Sequence, residues 1–180
     1  MTDHGRPRPA VLAEARWPPP GAPRGGLEQG RFLHSRFPPL VVAVAEACLR
    51  QRHREAPAPA AVGERTAVLL SSLRADEPTA AAVAEAVRQR AQVAKPLLFQ
   101  SAPTAALGEL AARWGLAGPM LSITPLGDRL REGLALAGRL LALEEADEVL
   151  LICADLATGP ERTDTAHALL LGRPPISPNP

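Results

Sequence analysis

The sequence predicts an α/β fold, built as a layered mixed sheet with a buried central helix. Three observations carry that expectation: apolar runs of strand length, apolar residues at helical spacing between them, and prolines clustered where elements should end. Ala10–Trp17 reads as a short first strand, stopped by Pro18–Pro20 and Gly21. Phe37–Arg54 carries Leu40, Val41, Val44, Ala45, Cys48 and Leu49 at helical spacing. Arg65–Ser72 holds the compact run Val68-Leu69-Leu70, which suits a buried strand. Pro78–Ala94 is Ala-rich and reads as a helix, with Pro78 near its start, where no backbone donor is needed. Pro103–Trp114 is a further helix closed by Gly115, and Met120–Thr124 a short strand ended by Pro125. Asp128 is placed to cap a helix running to Glu144. Leu130, Leu134, Ala137 and Leu141 mark one face of it, and Leu136, Leu140 and Leu143 another. So wide an apolar surface predicts that this is the most buried helix, covered on more than one side. Glu148–Ala154 (EVLLICA) reads as a strand covered on both faces, and Ala166–Leu171 as the last strand. Strands alternating with helices imply a sheet that is mostly parallel.

The domain is expected to span 10–172, with proline- and glycine-rich loops at 18–35 and 55–64. Disordered ends are expected at 1–9 and 173–180. A chain of 180 residues can bury one sizeable core. Aromatics are 3% with no Tyr, so that core must be Leu, Val and Ala. Twenty basic against nineteen acidic residues give a formal charge of +1, which argues against a nucleic-acid partner or a polybasic membrane anchor. Lys95 is the lone lysine. Residues 1–9 hold no apolar run of signal-peptide type, and apolar runs elsewhere break well before the ~18 residues of a membrane span. The expectation is a cytoplasmic protein without a membrane partner.

Chemistry-bearing residues are sparse. Cys48 and Cys153 are far apart in apolar surroundings and read as small buried hydrophobes, with no CxxC pairing. His4, His34, His53 and His167 share no ligand spacing, so neither a metal nor a cofactor is expected. Gly25-Gly26 lacks the Gly-Lys-Ser/Thr of a phosphate loop. Ser71-Ser72 lacks a nucleophile-elbow motif. Asp76-Glu77 before Pro78 most simply favours a helix start. Arg50–Glu55 (RQRHRE) reads as a solvated helix end, although it could grip an acidic partner.

Two adjacent segments then carry a resemblance. Pro96 to Pro119, PLLFQSAPTAALGELAARWGLAGP, resembles the β-ketoacyl synthase segment in which a proline-bearing loop enters a helix of the type ALGELAxRxGLxGP. Met120 to Asp155 follows with a short strand, a long helix and a strand beginning Ala146-Asp147-Glu148-Val149-Leu150, in that family's order. The chain is thus similar to the N-terminal half of a ketosynthase, close to the shorter ketosynthase-like domains of polyketide and aryl-polyene pathways. The resemblance implies half of a thiolase-type fold.

The departures from the family decide what is expected of function. Counted from Gly118-Pro119, the family's nucleophilic cysteine falls at position 127, which is Gly127. No cysteine lies between Pro119 and Ile152. Such chemistry needs a thiolate at a helix N-terminus and backbone N–H groups to hold an oxyanion. The family's two histidines belong to a C-terminal half that this sequence does not contain. The resemblance therefore implies a non-catalytic, ketosynthase-like protein acting by binding in polyketide or fatty-acid-type biosynthesis. Ketosynthase-like subunits lacking the cysteine pair with true ketosynthases and help set chain length, although this chain is shorter than those. The alternative is one chain of a split ketosynthase or acyltransferase whose catalytic groups come from another subunit. The expected partners are a second copy or a ketosynthase, and possibly an acyl carrier protein. In complete ketosynthases the strand before the nucleophile pairs with its counterpart across a two-fold axis, so Leu121, Ser122, Ile123 and Thr124 are the interface candidates.

Overall fold

The computed structural model describes residues 9–21, 35–159 and 163–174. Residues 1–8 and 175–180 of the expected disordered ends and 22–34 of the 18–35 loop, with His4, His34 and Gly25-Gly26, lie outside the described residues, whereas Arg173 is described and its side chain pairs with Asp147. In chain order the elements are β1 (Ala10–Trp17), α1 (Phe37–His53), α2 (Ala60–Gly63), β2 (Thr66–Ser71), α3 (Glu77–Arg88), α4 (Lys95–Gln100), α5 (Ala105–Trp114), β3 (Met120–Ile123), α6 (Arg129–Ala142), β4 (Glu148–Asp155) and β5 (Thr165–Gly172). The nine expected elements are present. The short helices α2, inside the expected 55–64 loop, and α4 were not foreseen.

The five strands form one sheet in the order β1-β5-β4-β2-β3. β2 pairs in parallel with both β3 and β4, while β5 pairs antiparallel with β4 and with β1. The sheet is therefore evenly mixed rather than mostly parallel. No helix separates Asp155 from Thr165 among the described residues, so β5 folds straight back beside β4. β1 then adds beyond β5 at one end, leaving β3 at the other.

Alternate residues of the central strands feed two cores. Val68, Leu70, Leu150, Ile152 and Leu170 face α1 and α5, and Ala67, Leu69, Val149, Leu151 and Leu171 face α6. This is three layers, helix on sheet on helix. α1 lies across β1, β5 and β4 and against α5. Its Leu40, Val41, Val44, Ala45, Cys48 and Leu49 are each 1% exposed or less. Burying a Leu or Val in this way contributes about 1.5–3 kcal/mol, and α1 carries several at once.

The expectation that the helix after Asp128 is the most buried is overturned. α6 buries only Gly133, Ala137, Leu140 and Leu141, a single stripe set on β4 and β2. Leu130, Leu134 and Leu136 flank that stripe half-buried, and Leu143 is exposed beyond the helix end. α1 is the buried central helix instead. Gly133 explains how closely α6 sits, since a Cβ there would fall 2.6 Å from a Leu151 methyl.

Local signals account for several boundaries. Asp76 caps α3 by accepting from the Thr79 N–H and hydroxyl at 3.3 and 2.8 Å. α3 stops at Arg88 rather than Ala94, and Arg90 just beyond it has φ of 55°. Gly115 ends α5 in the left-handed conformation at φ 69°, which a side chain would resist. Gly118 lets the chain cross β2, where a Cβ would meet the Thr66 carbonyl oxygen at 2.5 Å. The GLAGP stretch behind the resemblance thus meets specific backbone demands. No helix among the described residues is long and apolar enough to cross a membrane.

Candidate functional site

The chain leaves Pro119 and enters β3 at the end of the sheet. Met120, Leu121, Ser122 and Ile123 register with Val68, Leu69, Leu70 and Ser71 of β2. The other side of β3 has no strand neighbour among the described residues, so its backbone groups face outward. Leu121 and Ile123 point to the α6 side, where they pack against the smaller core. Thr124 lies just past the strand and is exposed. The four interface candidates are therefore brought together along one open edge.

Pro125 is buried and ends the strand, and Leu126 then stands fully in solvent. Gly127 and Asp128 complete the turn into α6. Asp128 accepts from the Arg131 N–H at 2.7 Å, as a helix cap should. Glu132, one turn inside the helix, accepts from the N–H groups of Gly127 at 2.7 Å and Leu126 at 3.1 Å. A shallow depression of about 430 Å³ lies beside this turn, lined by Ile123, Thr124, Leu126, Glu132, Leu136 and Arg139 among others.

The inner side of the turn is tied to the strand ends. The Arg129 guanidinium pairs with Asp155. Asp155 also accepts from the Ser72 hydroxyl and the Leu73 N–H, each at 3.0 Å. The Arg129 carbonyl accepts from Ser71 at 3.0 Å, and the Cys153 thiol points to it at 3.9 Å. Ser71-Ser72 thus serve as struts. Neither the Glu132 contacts nor the Arg129–Asp155 pair were foreseen. Glu132 falls one position beyond the usual capping-box spacing from Asp128, so the pattern hid it.

The remaining described candidates are buried or paired with neighbouring side chains. Burial pushes the thiols of Cys48 and Cys153 up to about 11, which keeps both protonated and unreactive near neutrality. His53 lies 3.4 Å from Glu148 in a buried pair, and His167 bonds Glu14 at 2.9 Å on β1. The Arg16 side chain, helped by His167, holds the Glu14 carboxyl below its ordinary range. Arg50 is drawn to Glu46 on its own helix, which also holds Arg113. Among the described residues no three His, Cys, Asp or Glu side chains gather as a metal site would require.

With this geometry in hand, the comparisons with known proteins are specific. Neither a family model nor a curated protein matches the sequence. Solved structures do match. A ketosynthase in complex with its chain length factor from Xenorhabdus doucetiae superposes with a TM-score of 0.66 at 16% identity, over 93% of this chain and 79% of the matched one. The fold is thiolase-type. A β-ketoacyl synthase from Burkholderia phymatum gives 0.66 at 14% identity, over 86% of this chain and 46% of its own. The ishigamide ketosynthase/chain length factor gives 0.63 at 17% identity, over 89% and 50%. This thiolase-type chain therefore spans about half of the latter two and more of the first.

Proposed function

We propose that this chain is a non-catalytic, ketosynthase-like subunit that works by binding, as partner of a ketosynthase in polyketide or fatty-acid-type biosynthesis. The observation that carries the reading is the open edge of β3. An unpaired strand flanked by Leu126 and an apolar depression is a liability in water unless a partner covers it. Leu121, Ser122, Ile123 and Thr124 form the interface, with a ketosynthase or a second copy as the occupant. Position 127 supports the same reading, because the place of the nucleophile holds glycine and the thiols at 48 and 153 are buried.

The similar structures add support of their own. Two are described as ketosynthases with chain length factors, and another, at TM-score 0.65 and 11% identity, as an acyl carrier protein in complex with its ketosynthase. A subunit with glycine in place of the nucleophile fits a role in shaping or stabilising a partner's site.

The test is acyl transfer. Incubated with malonyl- or acyl-loaded carrier protein, the purified chain is expected to keep its mass unchanged. A stable acyl adduct on Cys48 or Cys153 would overturn the non-enzyme reading and favour one chain of a split ketosynthase or acyltransferase.

A further inference from the structure

The turn between β3 and α6 has its backbone donors already engaged. N–H groups at a helix entrance ordinarily remain open to water or an anion. Here the two oxygens of Glu132 take the N–H groups of Gly127 and Leu126 at 2.7 and 3.1 Å, and Asp128 takes that of Arg131 at 2.7 Å. A side chain built on Gly127 would place its Cβ 3.2 Å from Glu132 Oε1.

We infer that Glu132 is a built-in anion that closes this turn to acyl chemistry: its carboxylate occupies the donors an oxyanion would need and sets a negative charge against any thiolate at position 127. The inference rests on the reading that Gly127 stands where a ketosynthase carries its nucleophile. The charges around the turn reinforce it. Asp128 is a second carboxylate beside position 127. Arg129 is committed to Asp155, and Ser71 and Cys153 reach only the Arg129 carbonyl from β2 and β4. Arg139 lines the depression two helical turns beyond Glu132. Chemical silence is therefore secured twice, by the missing thiol and by the carboxylate that fills the place of the reaction's anion. Restoring the cysteine alone leaves the second lock in place.

The experiment installs the thiol and then removes the charge. Gly127→Cys is compared with Gly127→Cys/Glu132→Gln for alkylation by iodoacetamide, mapped by peptide mass from neutral to alkaline pH. Cys48 and Cys153, at about 11, leave the label at 127 clear. Removing one charge a few ångströms from an exposed thiolate is expected to speed alkylation about fivefold at neutral pH. The midpoint of the profile should move to lower pH. Equal rates and midpoints in the two proteins would overturn the inference. A second measurement needs no new cysteine: in Glu132→Ala, the Leu126 and Gly127 amides should exchange with solvent about tenfold faster or more. Unchanged exchange would equally overturn it, whatever position 127 corresponds to. Acylation of the unmodified chain bears on the functional reading alone, so the two failures are distinguishable.

Discussion

On one face of the sheet, α1 lies over β1, β5 and β4 with α5 beside it against β2, and together they bury Phe37, Leu49, Leu107 and Trp114 to 1% exposure or less. On the other, α6 alone crosses β4 and β2, with Leu130, Leu134 and Leu136 half-buried and the edge of β3 beside them. The first face is finished within the chain. The second has a core of its own but stops short of covering its rim. The contrast separates what holds the domain together from what it leaves uncovered, and it shows that a leucine-rich helix need not be the central one.

The largest expected effect lies on the finished face. Leu40→Ala or Leu49→Ala should each cost about 2–5 kcal/mol in denaturant unfolding, as cavities in sealed cores do. Leu141→Ala on α6 should fall at the lower end of that range, because Leu141 is 4% exposed beneath a single helix. Leu134→Ala should cost about 1 kcal/mol or less, since a half-buried side chain has already kept part of its solvent. If Leu134→Ala destabilises as much as Leu49→Ala, something covers the outer side of α6 and the comparison breaks.

The smallest expected effect is a surface one that sharpens the contrast from outside both cores. The Arg65 side chain holds the exposed Asp147 carboxyl below its ordinary range, with Arg173 adding to the pull. A carboxyl lowered in the folded state contributes stability above its unfolded pKa of about 3.9, and loses it as pH falls through the lower folded value. Asp147→Asn should therefore lower stability slightly at neutral pH, where the pair's contribution is present, and match the parent protein in acid, so that the acid limb is slightly flatter. An acid limb identical to that of the parent protein would mean the pair contributes nothing.

The legible part of the fold is the part written as local periodicity. EVLLICA could only be a strand covered on both faces, and Leu40 through Leu49 could only be a helix with a buried face. What escaped depends on distant partners. Six residues at Lys95–Gln100 and four at Ala60–Gly63 are too few to show a period. The antiparallel return of β5 goes with the absence, among the described residues, of a crossover helix after Asp155, which no residue announces. Leucines on two faces of α6 pointed to burial on more than one side. They prove to be one core stripe with an apolar flank that the sheet does not reach. The edge candidates were readable through the resemblance, because GLAGP fixes where β3 begins. The Glu132 contacts were not, since the carboxylate reaches backwards across the helix start to donors that carry no side-chain signature.

The measurement closest to the central claim is the state of association of the wild-type chain and Ile123→Arg, followed by light scattering at micromolar concentration with and without a ketosynthase from the same genome. Ile123 lines the depression at the end of the open edge. The account predicts that the wild-type chain forms a dimer or a complex with the ketosynthase, and that Ile123→Arg weakens either under conditions where the chain is still folded, with an unfolding midpoint lowered less than by Leu49→Ala. A soluble wild-type monomer with no affinity for any ketosynthase would contradict it.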